Sequence, residues 1–217
     1  MYGGSAFAAT SCQPLVPGVS GYRPYCPYTL NPGSGAWSGP DLARARRLVA
    51  ASGTAGQLIE VWGASDDIST PPELPAYFAS VLRSLGYRTR LHEARLSSFT
   101  ASQRAGFQIS VDGDAIPDYP SASSYLPGYF ACAGQANWDY HCDPALDREM
   151  AAATALRITD PARAAKLWTR IDHRIVDNAW WVPFVLPRGV EVVSKRVGNY
   201  EFHPMWGFIA DQAWLGP

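Results

Sequence analysis

The sequence predicts an α/β fold, a single sheet with helices on both of its faces. Two observations carry this. Short apolar runs of strand length recur, Leu58-Ile-Glu-Val-Trp62, Tyr87-Arg-Thr-Arg-Leu-His-Glu93 and Phe107-Gln-Ile-Ser-Val111. Between the first two lies one helix-length amphipathic stretch, and strand–helix–strand with short joins is a βαβ unit whose strands lie parallel.

In chain order, residues 1–39 show little periodicity. Prolines hold the stretch from Cys12 to Tyr28 away from helix, so it reads as an extended segment wrapped over the rest. A helix follows, with Pro40 and Asp41 at its start and Gly53 at its end. Its apolar stripe is Leu42, Ala45, Leu48 and Val49; Arg44, Arg46 and Arg47 fall largely outside it and read as a solvated face. After the first strand, Thr70-Pro-Pro-Glu73 has capping-box spacing, although Pro75 pushes the helix start onward. Leu74, Phe78, Val81, Leu82 and Leu85 form the stripe of this second helix, and Gly86 stops it. A short helix is predicted over Phe99–Ala105, and an irregular aromatic stretch over Leu126–Cys142. Asp143-Pro144 and Asp160-Pro161 each start a helix, with Asp as cap and Pro in the first turn. Leu146, Met150, Ala153 and Leu156 share a face of the first; Ala164, Leu167, Trp168, Ile171 and Ile175 form the longest stripe in the chain. Trp180–Leu186 and Val190–Val193 read as strands, and the end is aromatic and irregular. The division expected is 1–39 extended, 40–193 the α/β body, and 194–217 an extended segment that packs on it or on another part of the protein.

Composition removes several classes. The net charge is −1 with no dominant basic patch, which argues against nucleic acid. No apolar run reaches the roughly 18 residues of a membrane span. The N-terminus lacks the charged and apolar regions of a signal peptide. The four cysteines fall into two local pairs, Cys12 with Cys26 and Cys132 with Cys142, each closing a short loop of the kind a disulfide staples. Cys-x-x-Cys zinc spacing is absent, and His141 beside Cys142 is the one feature that keeps a metal in view. Disulfides imply an oxidising compartment, which fits the missing signal only if the chain belongs to a longer exported protein.

The stretch most suited to chemistry is Gly113–Tyr125, which leaves the carboxyl end of a strand, where open α/β sheets place ligand contacts. Asp118 beside Tyr119 offers a carboxylate next to an aromatic face, a match for a cationic amine; the alternative is that Asp118 only turns the chain before Pro120. No Gly-x-Ser-x-Gly elbow, Walker loop or dinucleotide fingerprint occurs. His92, His141, His173 and His203 are scattered, and the paired acids Asp66/Asp67 and Asp112/Asp114 carry no further sign of acid–base work. Neither an enzyme nor a cofactor is indicated.

Several segments in order resemble the C-terminal lobe of the peptide/nickel/opine-type solute-binding proteins of ABC importers. They are Cys12-Gln-Pro-Leu-Val-Pro-Gly with Gly21-Tyr, Pro40–Val49, Asp118-Tyr-Pro-Ser-Ala-Ser-Ser-Tyr-Leu126, Asn137-Trp with Cys142-Asp-Pro-Ala-Leu-Asp147, and Asp160-Pro-Ala-Arg-Ala through Trp181-Val-Pro-Phe184. The resemblance implies a lobe of the type II periplasmic-binding-protein kind, a peptide or similar small solute as ligand, an ABC permease as partner, an N-terminal lobe elsewhere in the protein, and an extracytoplasmic, membrane-anchored location. It gives Asp118 the role of pairing with a ligand's α-amino group, with Tyr119 and Tyr125 beside it, and it supports the Cys132–Cys142 pair. The sequence departs from the family in having Gly113-Asp114 where many relatives have Gly-Trp, an extra residue before Asp118, and Ser121 where an acid is common. An isolated lobe is expected to bind weakly or not at all. Two other readings stand beside this one: a secreted hydrolase or transferase using Asp112, Asp114 and Asp118, and an ectodomain that binds a protein partner without transport.

Overall fold

A computed structural model describes residues 4–67, 69–98, 106–111, 117–203 and 207–216 of the chain. Its centre is a parallel three-stranded sheet in the order β3-β2-β4, with β2 at Leu58–Ala64, β3 at Arg88–Ala94 and β4 at Ile109–Val111. The register pairs Val61 with Leu91 and with Ile109. The βαβ unit expected from the sequence is present, closed by helix α2, Leu74–Ser84. That helix starts at Leu74 and not at Thr70, because three prolines crowd its entry and no side chain caps it.

Helix α2 lies on the face bearing Ile59, Val61, Ile109 and Val111, where Leu74, Phe78, Ala79 and Leu82 complete a small core. Gly63 makes the approach possible: a Cβ there would stand 2.4 Å from Cγ of Pro75. The opposite face is polar and aromatic. Trp62 is stacked between His92 at 4.2 Å and Phe107 at 3.9 Å, and Arg90 bonds Glu60 at 3.0 Å. Helix α1, Leu42–Ser52, is capped by Asp41, which accepts from the Arg44 amide, and ends at Gly53 in the left-handed region. It buries no residue, and Leu48 of its stripe is 55% exposed.

A second and larger core is helical. The one-turn helix α3, Leu126–Phe130, sits on α4, Pro144–Thr159, and α4 forms a hairpin with α5, Pro161–Asp177. Asp160 alone joins the pair: it ends α4, and its carboxylate accepts from the Arg163 amide to start α5. Leu126, Phe130, Leu146, Met150, Trp168, Ile171 and Ile175 fill the core, as the helical stripes require. Leu15 and Val19 from the N-terminal segment enter it too. That segment is fastened by Cys12–Cys26, while Cys132–Cys142 closes the loop before α4.

The strand expected over Val190–Val193 is absent. Val192 is 97% exposed, and among the described residues no strand lies beside it for the alternating residues to pair with. Of Trp180–Leu186, only the end is strand: β5, Val185–Pro187, pairs antiparallel with β1, Ala8–Thr10, and Trp180 and Trp181 turn instead onto the helical core. The C-terminal segment forms two short pairs, β6 (Val197–Gly198) with β9 (Trp214–Leu215) and β7 (Phe202–His203) with β8 (Gly207–Phe208). The helix predicted over 99–105 lies outside the described residues.

Candidate functional site

Because β2, β3 and β4 run parallel, their carboxyl ends open on one edge. The loops leaving that edge are tied to each other. The Ser65 amide donates to the Ala94 carbonyl at 2.8 Å, and Asp66 accepts from the Leu96 amide at 2.5 Å. Asp67 accepts from the amide and hydroxyl of Ser69, at 2.9 and 2.7 Å. The Asp66/Asp67 pair thus shapes loops, as loop aspartates commonly do. The third strand exits at Val111 toward residues 112–118; Asp112 and Asp114 lie outside the described residues.

The sequence dictates the shape of 117–126 closely. Small residues let the chain fold into a tight turn. The Ser121 amide donates to the Tyr119 carbonyl at 2.6 Å, and the Ser124 hydroxyl reaches the carbonyls of Tyr119 and Ser121 at 3.0 and 2.8 Å. Ala122 and Leu126 drop fully into the helical core. Tyr125 goes with them and donates its hydroxyl to the Pro14 carbonyl at 3.1 Å. Burial, with the nearby charge of Asp172, pushes the Tyr125 phenol well above its ordinary range. Asp118 and Tyr119 remain outside: both are exposed, Tyr119 by 47%, and Asp118 has no ion-pair partner among the described residues. Of the three residues singled out in this stretch, the structure places two at the surface and sends Tyr125 inward as the peg beneath them.

Three polar arrangements were not read from the sequence. The most buried is Asp172, which reads in the sequence as one more residue of α5. Its carboxylate accepts from the Leu15 amide at 2.8 Å and from Nε2 of Gln13 at 2.7 Å. Gln13 in turn accepts from the Tyr25 amide at 2.6 Å and donates to the Arg23 carbonyl at 3.0 Å. Burial raises the Asp172 carboxyl to about 7, and the Leu15 and Gln13 donors limit the rise. A helix stripe with an acid at a core position, one residue after Ile171, is the signal that could have found it.

In the second, Arg174 holds Asp143 and Glu149. Burial works against the Asp143 charge, but the amides of Leu146 and Ala145, together with Arg174, keep its carboxyl below the usual range. In the third, around the second disulfide, Trp181 donates to Asp139 at 2.9 Å and His141 stacks on Trp180 at 4.4 Å. Burial raises the Asp139 carboxyl against the pull of Trp181 and His141. With Cys142 bonded to Cys132, the His141–Cys142 neighbourhood is packing and not ligation. No group of three His, Cys, Asp or Glu among the described residues is placed to hold a metal ion.

Comparison with known proteins gives this geometry a context. No family model matches the chain. A curated relative, the glutathione-binding protein GsiB of Salmonella typhimurium, is 23% identical across 98% of this chain and 40% of its own length. Among solved structures, HbpA2 from Haemophilus parasuis superposes with a TM-score of 0.78 at 20% identity, over all of this chain and 41% of that one. The ABC-transporter-associated periplasmic binding protein DppA from Helicobacter pylori, in complex with the peptide STSA, gives 0.71 at 18% identity, over 97% of this chain and 40% of that one. The chain therefore has the fold of periplasmic solute-binding proteins, and it spans about two-fifths of the proteins it matches.

Proposed function

We propose that the chain is the C-terminal, ligand-binding lobe of an extracytoplasmic solute-binding protein that captures a peptide or similar small solute for an ABC permease. The observation that carries this is the pairing of an exposed Asp118–Tyr119 tip with a buried Ala122–Tyr125–Leu126 base, beyond the carboxyl edge of a parallel sheet. A rigid base under an exposed acid and ring is what recognition of an ammonium group needs, since little ordering remains to oppose binding. Asp118 supplies the counter-charge and Tyr119 the aromatic face. Tyr125 serves the ligand indirectly, by fixing the loop. The likeness to peptide- and glutathione-binding proteins over nearly the whole chain supports the same reading. So do the two disulfides, which fit an oxidising compartment. The lobe does no chemistry of its own; an N-terminal lobe closes over the ligand, and a membrane anchor keeps the protein near its permease.

The test is native mass spectrometry of the full-length protein offered a mixed pool of short peptides. Peptides retained by the wild type and lost from Asp118→Ala are the expected result. Equal retention by both proteins removes Asp118 from the site. No retained small solute overturns the transport reading in favour of a protein-binding ectodomain.

A further inference from the structure

The sequence Pro161-Ala-Arg-Ala-Ala-Lys-Leu-Trp-Thr-Arg170 places cations at 163, 166 and 170, intervals of three and four. On a helix these share one face. In the structure they line one side of a half-open cleft of about 830 Å³, with Arg23 in the lining as well and Ala162, Ala165 and Leu167 giving it an apolar floor. Among the described residues none of these four cations has an ion-pair partner. The one acid at the start of the helix, Asp160, is committed to the Arg163 amide.

The wall opposite the helix is built and held. Gly21 adopts a φ of +95°, and a Cβ there would lie 2.8 Å from both the Ala165 carbonyl oxygen and the Trp168 Cβ, so only glycine lets this N-terminal segment lie on α5. The Thr169 hydroxyl binds the Gly21 carbonyl at 2.5 Å. Two residues on, the Arg23 carbonyl is gripped by Gln13, which is itself held by buried Asp172. A buried carboxylate thereby fixes the backbone from which Arg23 reaches the cleft.

We propose that this cleft binds a phosphate-bearing anion. Like charges at these intervals repel one another, and an anion seated among them relieves that repulsion. A singly charged carboxylate would leave most of the four cations unmatched; a phosphate group carries more charge and offers oxygens that three arginine forks and one lysine engage together. The volume exceeds what one phosphate occupies, leaving the alanine floor for an organic or acyl part. None of the lining residues belongs to the 117–126 loop, so the site is independent of the proposed solute site. The phosphate could be that of a free ester or of a lipid headgroup.

Calorimetric titration with inorganic pyrophosphate, and co-sedimentation with phosphatidylcholine vesicles with and without phosphatidylglycerol, test the idea and separate the two sources. The variant carries Arg163→Gln, Lys166→Gln and Arg170→Gln, all exposed positions where the fold tolerates change. Binding of either probe that weakens roughly tenfold or more in this variant, and weakens with salt, is the expected outcome. Pyrophosphate binding assigns a soluble ester; binding only to phosphatidylglycerol vesicles assigns a headgroup. Arg23→Gln alone should weaken the same probe several-fold. Unchanged binding in the triple variant, or no binding of either probe, overturns the proposal.

Discussion

The helical and sheet halves of this molecule are built to different standards. The helical half buries Phe130, Leu126, Leu146, Ile171 and Ile175 completely, and it recruits Leu15 from more than a hundred residues away. Both disulfides close loops whose neighbours feed its core. Among the described residues the buried cluster of the sheet half is small: Val61 and Val111 from the strands meet Leu74 and Ala79 of a single helix. Its other face shows a ring stack and an Arg90–Glu60 pair. The difference teaches where rigidity and adaptability lie. The proposed ligand tip is rooted in the helical half, although the strand leading to it belongs to the sheet. Local opening follows the density of buried contacts, so the sheet half is expected to open first.

The largest expected effects come from truncating each core in turn. Phe130→Ala should cost about 4 kcal/mol and Val61→Ala about 2 kcal/mol, because the cavity left scales with the volume removed and with how little the surroundings can collapse. Urea denaturation gives both values, and equal costs would break the contrast. Amide exchange should agree, being slower through residues 146–176 than through 58–94.

Next in size is Asp172. Asp172→Asn sets an amide N–H against a donor, either Leu15 or Gln13, and should cost about 2–3 kcal/mol. Its pH dependence sharpens the test. The folded carboxyl sits at about 7, above the ordinary value near 3.9, so its proton binds more tightly in the folded state. Its stabilising contribution is full below about pH 4 and is lost as pH rises through about 7. Denaturation midpoints measured from pH 4 to 8 should fall in the wild type, and this slope should flatten in the variant. A wild-type midpoint that rises over the same range would refute the assignment.

The smallest effect tests the sheet side. Gly63→Ala drives a methyl into the Pro75 ring and must push α2 off the strand, at a cost of about 1–2 kcal/mol. The loss should appear as faster exchange in 74–94 with little change in 146–176. Uniform loss across both halves would show that they unfold as one unit.

The sequence by itself determined what local chemistry can specify. The Asp-Pro starts at 143–144 and 160–161 set the boundaries of α4 and α5, because a side-chain cap and a proline in the first turn are complete within a few residues. The βαβ unit, its parallel strands and the glycine at the end of α1 were legible for the same reason. So was the turn around Asp118, where proline and serine carry their own geometry. Tertiary structure alone decided the rest. Apolar alternation at 190–193 became no strand, since a strand needs a neighbour. The stripe of α1 stayed largely exposed, since a stripe says which face could be buried and not what will cover it. Tyr125, which reads as a companion of Asp118, turned inward because a carbonyl 111 residues earlier was there to accept its hydroxyl. Asp172 became the anchor of the N-terminal segment because burial is decided by distant chain, here Gln13 and Leu15. Caps and turns are bonds between near neighbours in sequence, whereas burial and long-range hydrogen bonds depend on which distant segments the finished fold brings together.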